Sequence, residues 1–557
     1  MKTLRHFAAI ALLVAAGPAA ARAQVAVVAV KSADGLIAGA RSLLGAMGGG
    51  PAFDPAVAFL DKLKAPGTLK GVDLGRPAGA YVEIPAQGGE VPYVVVLVPV
   101  ADPADFFATL TAAGVTVVPV EKTPAVTHTL TIQGAGPIVL HGKVEGGYAT
   151  FATRPAGPPA DAALRPAAVL AGAPGLLSAR LRIDRIPAPS KQLMLDQTKA
   201  GAVADRDRKP GEDDPSYLGR MAGMDVVLDA FTALLRDGGD MILSLDVAEG
   251  RGDLAVDLVF KPLPGTAMAG SFRDFGAAPS LFRGIAGGSI ANGWARVPLS
   301  DGVRKLFATI SAKGRDDATK GEASPEAKAA MTEMVAVFEP ILTGPDADLG
   351  LALHGPLEGG DKVASFAAVV AARVADGGRA DRLCRTLAAA LAKSPTAGIE
   401  KMTLDADKAG EVPIHEIRLA SNAFLARFGE PVVWIAARPN ALAVALGRQG
   451  LPALKQALDS IASPPPRGPD APGPIQVSAA VGKVARFAAG GPDGQARLND
   501  QFQAAGVLQG ADAARDRVGM TLVGGDSLAL RLRVDGPLLK LLATLGVANR
   551  AGQPAPR

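Results

Sequence analysis

Apolar and polar residues alternate along many short stretches of this chain, most clearly in LAVDLVF at 254–260 and LALRLRV at 528–534. In both stretches every second residue is apolar, which is the period of a β-strand with one face in a core and the other in water. Short turns rich in Gly and Asp border such stretches, as in antiparallel hairpins. Helical patterns lie between them. The sequence therefore predicts the α+β class, with antiparallel hairpin-rich sheets covered by helices mainly on one face.

The same succession of predicted elements occurs twice along the chain. A strand at 94–102 with a helix at 105–110 matches a strand at 368–376 with a helix at 381–387. A second match is longer, since a strand, a helical stretch, a strand, a turn and a strand follow one another both at 176–260 and at 475–534. Repetition of this kind is the sequence signature of a duplicated architecture. We therefore predict two tandem copies.

Each copy is expected to divide into a larger and a smaller subunit, because a single core stops growing near roughly 250–300 residues. A run of prolines separates the subunits of the second copy, since proline runs enter neither a helix nor a sheet ladder. The predicted parts are a signal peptide (1–23), a larger and a smaller subunit of copy 1 (24–170 and 171–284), a larger subunit of copy 2 (285–463), a Pro-rich linker (464–474), a smaller subunit of copy 2 (475–547) and a flexible tail (548–557).

The first 23 residues have the features of a secretory signal peptide. A basic start is followed by an apolar run at 7–16 and by the small-residue motif ARA at 21–23, which places the expected cleavage between Ala23 and Gln24. Three of the four formal net positive charges belong to this leader, on Lys2, Arg5 and Arg22. The mature chain is thus close to neutral, and we expect an exported protein, periplasmic or extracellular.

Composition excludes several partners for the mature chain. A nucleic-acid interface needs a concentrated cationic surface and aromatic side chains for stacking, whereas only 4% of the residues here are aromatic. After the leader, no apolar run reaches the roughly 18 residues of a membrane-spanning helix, so no anchor is expected. The single cysteine, Cys384, leaves no intramolecular disulfide to form and lies in an apolar helical pattern.

Recognisable catalytic constellations are absent from the sequence. Neither a phosphate-binding loop, a dinucleotide fingerprint, a nucleophile elbow nor a zinc-type pair of ligands occurs, so we expect no cofactor and no metal site. The two candidates for chemistry are His128 and His415, which occupy comparable predicted strands, VTHTL and PIHEI, in the two copies. Histidine suits acid-base work near neutral pH, but neither residue has a nucleophile close by in sequence, and a structural role on a half-wet strand is the simpler interpretation.

A resemblance rests on four segments: GVDLGRPAGAYV at 71–82, VPVADPADFF at 98–107, FGEPVVW at 428–434 and AVALG at 443–447. Together they resemble a group of large, uncharacterised, exported repeat proteins of planctomycete-type bacteria. The resemblance spans most of the mature chain. It implies export and a repeat architecture, and it carries over no activity and no catalytic residue.

Three functions remain open at this point. The leading hypothesis is an exported, non-enzymatic binding or structural protein of the envelope or extracellular space. A carrier of apolar ligands is the first alternative, because the chain is rich in Ala, Val and Leu. A hydrolase with an unrecognised site is the second, because catalytic residues can come from distant segments.

Overall fold

The computed structural model describes residues 23–48, 53–65, 67–84, 92–123, 125–134, 136–159, 164–277, 279–285, 287–299, 301–320, 325–357, 365–393, 398–422, 424–463, 473–489, 492–504, 515–541 and 543. Most of the predicted leader (1–22), most of the linker (464–472) and the tail (548–557) lie outside these residues. Two compact units are present, and both draw on separated parts of the chain. Unit 1 comprises Met1–Val203, Phe231–Ala269 and Arg531–Arg557, and unit 2 comprises Ala204–Ala230 and Gly270–Leu530.

Unit 1 is built on an antiparallel sheet whose strands pair in the order β4-β5-β6-β7-β3-β2-β1-β8-β9-β10. Its strands are β1 (Ala23–Val30), β2 (Ala78–Ile84), β3 (Tyr93–Pro99), β4 (Val115–Thr123), β5 (Val126–Ile132), β6 (Ile138–Glu145), β7 (Tyr148–Ala152), β8 (Leu177–Arg182), β9 (Gly238–Val247) and β10 (Leu254–Pro262). Its helices are α1 (Ala33–Ala46), α2 (Asp54–Lys64), α3 (Pro103–Ala112), α4 (Pro166–Val169) and most of α5 (Ala188–Ala204).

The alternation of buried and partly exposed side chains along the strands shows where the core of unit 1 lies. In β3 every second side chain is buried, starting with Tyr93, and these residues join a cluster with Tyr81 of β2 and Leu170 just after α4. Helix α3 begins where the Asp102 carboxylate accepts a hydrogen bond from the Asp105 amide at 2.8 Å, with Pro103 in the first turn. Its Phe106 packs on β5 to β7, so the meander β4 to β7 has a core of its own.

Unit 2 also holds an antiparallel sheet, and its strands pair in the order β14-β15-β16-β17-β13-β12-β11-β18-β19. The strands are β11 (Ala291–Pro298), β12 (Asp346–Leu357), β13 (Ser365–Arg373), β14 (Ile399–Ala409), β15 (Val412–Leu419), β16 (Val432–Arg438), β17 (Ala441–Leu446), β18 (Ile475–Ala480) and β19 (Arg517–Val523). The helices are α8 (Asp301–Lys320), α9 (Pro325–Thr343), α10 (Gly377–Lys393), α11 (Gly450–Ala462), α12 (Val481–Ala489) and α13 (Pro492–Ala504). Residues of α6 (Asp214–Asp237), α7 (Ala267–Ala277) and β20 (Leu528–Val534) belong to both units.

Helix α11 covers one face of the central strands of unit 2. Leu454 and Leu458 of α11 are fully buried against an alanine-rich sheet surface, which includes Ala371, Ala443 and Ala445. Small side chains on the sheet let the helix approach closely, so the leucines supply most of the apolar area that is removed from water. The α+β class predicted from the sequence is confirmed, and the strands pair antiparallel as predicted.

Candidate functional site

His415 lies in β15 and is almost completely buried, with 1% of its surface exposed. Its Nε2 atom is 2.9 Å from an Asp381 carboxylate oxygen on α10, and its Nδ1 atom accepts a hydrogen bond from the Asp405 amide at 3.1 Å. Because Nδ1 accepts, the proton of the neutral ring is on Nε2, where it is donated to Asp381. The ring thus connects α10 to strands β14 and β15.

Arg385 completes this cluster on its exposed side. Its guanidinium contacts Asp381 at 2.9 Å and Asp405 at 3.0 Å, so one cation joins the two carboxylates. Burial disfavours the charged form of Asp381 and by itself would raise its pKa. Hydrogen bonds from Arg385 and His415 outweigh that effect and hold the pKa of Asp381 below its ordinary value. Asp405 itself has a left-handed backbone with φ of 52°, a conformation that Asp tolerates better than most residues.

The chemistry available to the His415 cluster is limited by its own hydrogen bonds. Both ring nitrogens are engaged, so no lone pair is free to take a proton from a substrate. The neighbouring Cys384 thiol is buried, and burial, with a smaller contribution from Asp381, raises its pKa to about 12. A thiol with that pKa is protonated at neutral pH and is a weak nucleophile. The arrangement fits a structural clamp better than a catalytic dyad.

His128 has a different environment in unit 1. Its ring stacks on Phe107 of α3, with the centroids 4.1 Å apart and the planes inclined by 25°. The neighbouring Thr127 hydroxyl lies 2.9 Å from Nδ1, and partial burial lowers the pKa of the imidazole, which keeps the ring neutral near pH 7. The ring thus contacts an aromatic side chain and the hydroxyl of the adjacent residue in the same strand.

The two histidines nevertheless share one geometric relation. Phe107 is five residues after the N-cap Asp102 of α3, and Asp381 is five residues after Asp376, whose carboxylate accepts the Arg379 amide at the start of α10. In each unit a helix follows the third strand of the sheet, α3 in unit 1 and α10 in unit 2. Each histidine contacts the residue at the same position of that helix. Sequence reasoning identified the histidines but missed Asp381 and Arg385. Their i, i+4 spacing on a helix was the signal that could have found them.

Apolar side chains line the other face of the central strands in unit 2. Cross-strand pairing aligns Val370 of β13, Leu351 of β12, Gly293 of β11, Val477 of β18 and Met520 of β19. The four side chains are between 37% and 47% exposed, whereas their sequence neighbours Val369 and Ala352 are fully buried on the α11 face. We call Val370, Leu351, Val477 and Met520 the apolar row.

The apolar row departs from the usual composition of an antiparallel sheet. Such sheets carry polar residues on a face that is exposed to water. With strands about 4.8 Å apart, the five strands of the row span roughly 19 Å. A shorter alignment of the same kind occurs in unit 1, where Val28 of β1 and Leu243 of β9 flank Ala179 and are 41% and 44% exposed. Contiguous apolar surface that is exposed to water often marks a site of interaction with a ligand or another protein.

The predicted cleavage residues lie at the start of β1. Ala23 and Gln24 pair with Ile84 and Glu83 of β2, and the Gln24 side-chain oxygen accepts a hydrogen bond from Arg182 at 2.6 Å. Residues 1–22 of the leader are outside the described part of the chain.

The described part of the chain contains no group of three or more His, Cys, Asp or Glu side chains placed to hold a metal ion. It also contains no helix with the length and hydropathy needed to cross a membrane. In comparisons with known proteins, no family model, no curated protein and no solved structure matches the chain.

Proposed function

We propose that this chain is an exported, non-catalytic binding protein of the bacterial envelope or extracellular space, and that it binds an elongated apolar ligand along the apolar row. The observation that carries the proposal is the alignment of Val370, Leu351, Val477 and Met520 across neighbouring strands, with each of these side chains 37–47% exposed. An extended acyl chain suits a strip that is long, narrow and without charge. This joins the leading hypothesis from the sequence with its first alternative.

The proposed compartment rests on the sequence of the leader. The basic start, the apolar run and the ARA motif before Gln24 support export, and so does the resemblance to exported planctomycete-type proteins. The net charge close to zero after removal of the leader favours a ligand bound by apolar contact over one bound by charge.

We also propose that the chain consists of two tandem copies. The support is the pairing order of the strands: β4-β5-β6-β7-β3-β2-β1-β8-β9 recurs as β14-β15-β16-β17-β13-β12-β11-β18-β19. The exposed apolar positions Val28 and Leu243 fall on β1 and β9, the counterparts of β11 and β19 in this order. On this proposal both copies carry an apolar face, and the longer one is in unit 2.

The hydrolase alternative has less support. His415 uses both ring nitrogens within the protein, and His128 stacks on a phenylalanine. Replacement of either histidine by alanine is therefore expected to leave any activity of the protein toward esters, peptides or glycosides unchanged.

A binding titration tests the proposed function. The wild-type chain and the double variant Leu351→Asp/Val477→Asp are titrated with a fluorescent long-chain fatty acid. Burying one such side chain fully is worth about 1.5–3 kcal/mol and 1.4 kcal/mol is tenfold in affinity, so we expect the double variant to bind at least about tenfold more weakly. Because both residues are exposed, circular dichroism of the variant should match that of the wild type.

A matched control separates loss of the apolar row from a general effect of added charge. Val118 is 49% exposed on β4, so Val118→Asp makes the same chemical change on a strand outside the row. This variant should bind the fatty acid as the wild type does. If the wild type does not bind the probe, or if the double variant binds it unchanged, the proposed function is wrong.

A further inference from the structure

The sheet of unit 1 carries a continuous row of apolar residues across five neighbouring strands. Cross-strand pairing aligns one residue from each of β3, β2, β1, β8 and β9, in the order Val96, Ala80, Val28, Ala179 and Leu243. The strands at the same places in the pairing order of unit 2 are β13, β12, β11, β18 and β19, which contribute the apolar row and Gly293. We call the five aligned residues of unit 1 the second row.

Helix packing borders the second row on one side. Leu181 of β8 and Met241 of β9 lie on the same face of their strands as the row, because side chains two residues apart point the same way. Both pack in a cluster with Leu234 of α6. Val28 and Leu243 remain more than two-fifths exposed. Helix α6 therefore forms a wall beside a row that is itself open to solvent.

Helix α1 borders the row on the other side. Val247, at the end of β9 that lies away from α6, is next to Gly39 of α1, where an added Cβ would be 3.6 Å from the Val247 Cβ. Leu176, directly before β8, also lies against Gly39. The second row is thus the floor of a groove between α1 and α6.

The floor of this groove offers apolar contact without hydrogen-bonding groups. Strands β1, β8 and β9 each pair with a neighbour on both sides, so their backbone groups are already used in the ladder. The charges of these strands nearest to the row, Arg180 and Asp240, point to the opposite face and bind each other at 3.1 Å. A peptide cannot add to interior strands, and a polar ligand would lose its hydrogen bonds to water. An acyl chain has none to lose.

We infer that unit 1 holds a second acyl-chain site along the second row, so that one protein chain binds two acyl ligands, one in each unit. The inference rests on the proposed function and extends it to unit 1. Two of the five residues in the second row are the alanines Ala80 and Ala179, on either side of Val28, so this floor presents little side-chain surface on β2 and β8. We therefore expect the second row to be the weaker of the two sites.

A count of bound ligands on the full chain tests the inference. The delipidated wild type and the variant Val28→Asp/Leu243→Asp are titrated with the fluorescent long-chain fatty acid. The wild type should bind two molecules and the variant one, with the affinity of the altered site at least about tenfold lower. Leu351→Asp/Val477→Asp should keep the weaker site alone, and all four substitutions together should abolish binding. The control Val118→Asp should bind two molecules.

A photoreactive fatty acid that carries a diazirine gives a measurement without any variant. After irradiation of the wild-type chain, mass spectrometry should find the label on peptides from β8 and β9 of unit 1 and from β12 and β18 of unit 2. Label confined to unit 2 would overturn the inference even if Val28→Asp/Leu243→Asp does not fold.

The ligand count separates this inference from the proposed function. A single molecule per wild-type chain that only Leu351→Asp/Val477→Asp removes contradicts the second site and leaves the proposed function standing. Two molecules that both persist in Val28→Asp/Leu243→Asp, or that are both lost in it, also contradict a separate site in unit 1. A wild-type dimer that this variant converts to a monomer, with one ligand per chain in both, would show that another copy covers the second row. No binding to the wild type contradicts both proposals.

Discussion

Removal of the His415 ring is the most direct test of the clamp in unit 2. His415→Ala takes away the donor to Asp381 and the acceptor of the Asp405 amide, and the ring that provides both is almost completely buried. A hydrogen bond to a charged group is worth about 1.5–3 kcal/mol, and a buried donor without a partner costs about 1–3 kcal/mol. The two contributions together amount to about 2.5–6 kcal/mol. Asp381 keeps Arg385 and is partly exposed to water, so we expect a loss in the lower part of the combined range, about 3 kcal/mol.

The two tryptophans allow the loss of unfolding free energy to be measured in unit 2 alone. Trp294 and Trp434 are the only tryptophans of the chain, and both lie in unit 2. Their indole nitrogens donate to the carbonyl groups of Gly473 and Gly447, each at 3.1 Å, so their emission should change when the unit unfolds. Urea unfolding followed by tryptophan fluorescence should show a lower midpoint for His415→Ala, with an unchanged slope.

Asp405→Asn is the matched control within the same cluster. It removes the exposed charge pair with Arg385 but keeps the backbone amide that donates to His415, and Asn tolerates the left-handed backbone at this position. An exposed pair of this kind is worth about 0–1 kcal/mol. If Asp405→Asn shifts the midpoint as much as His415→Ala does, the reasoning from burial is refuted.

Three other predictions follow from packing and charge. Cys384 should resist thiol reagents in the native chain at pH 8 and react once the protein is denatured, because burial raises its pKa to about 12; rapid native labelling would contradict this. Gly377→Ala should cost about 1–3 kcal/mol in unfolding free energy, since the new Cβ would lie 1.7 Å from the Arg438 carbonyl oxygen, whereas Gly223→Ala in the open interior of α6 should gain about 0.5–1 kcal/mol. Asp381 has a depressed pKa when folded, so its contribution to stability is present above pH about 4 and is lost as the pH falls through the folded pKa; acid titration of Asp381→Asn should lack that part of the decline.

Period-two patterns located strands well in this protein. The stretch 528–534 coincides with β20, and 254–260 lies within β10. The alternation is clearest in β20, where Arg531 and Arg533 are exposed while Leu530 and Leu532 are partly buried, because the strand presents alternate side chains to water.

The features of the site were harder to obtain from the sequence. Asp381 and Arg385 look like ordinary surface charges on a helix, and their partner Asp405 is separated from His415 by a turn. Asp tolerates a left-handed backbone better than most residues, but the residue type alone does not show which Asp of the chain adopts it. The apolar row was hidden for another reason, because alternation assigns one face of a strand to the core and does not show that the other face is also apolar.

The pairing of the first strand of each sheet constrains the order of folding. The meander strands β4 to β7 pair with their immediate neighbours in the chain, as β14 to β17 do, so their contact order is low. Strand β1 instead pairs with β8, where Val30 lies opposite Leu177, and β11 pairs with β18. Because closing a long loop must precede such contacts, the meanders can form early while the central strands are completed last. Strand β1 precedes the other strands of its sheet in the chain, and it therefore waits longest for its neighbour β8.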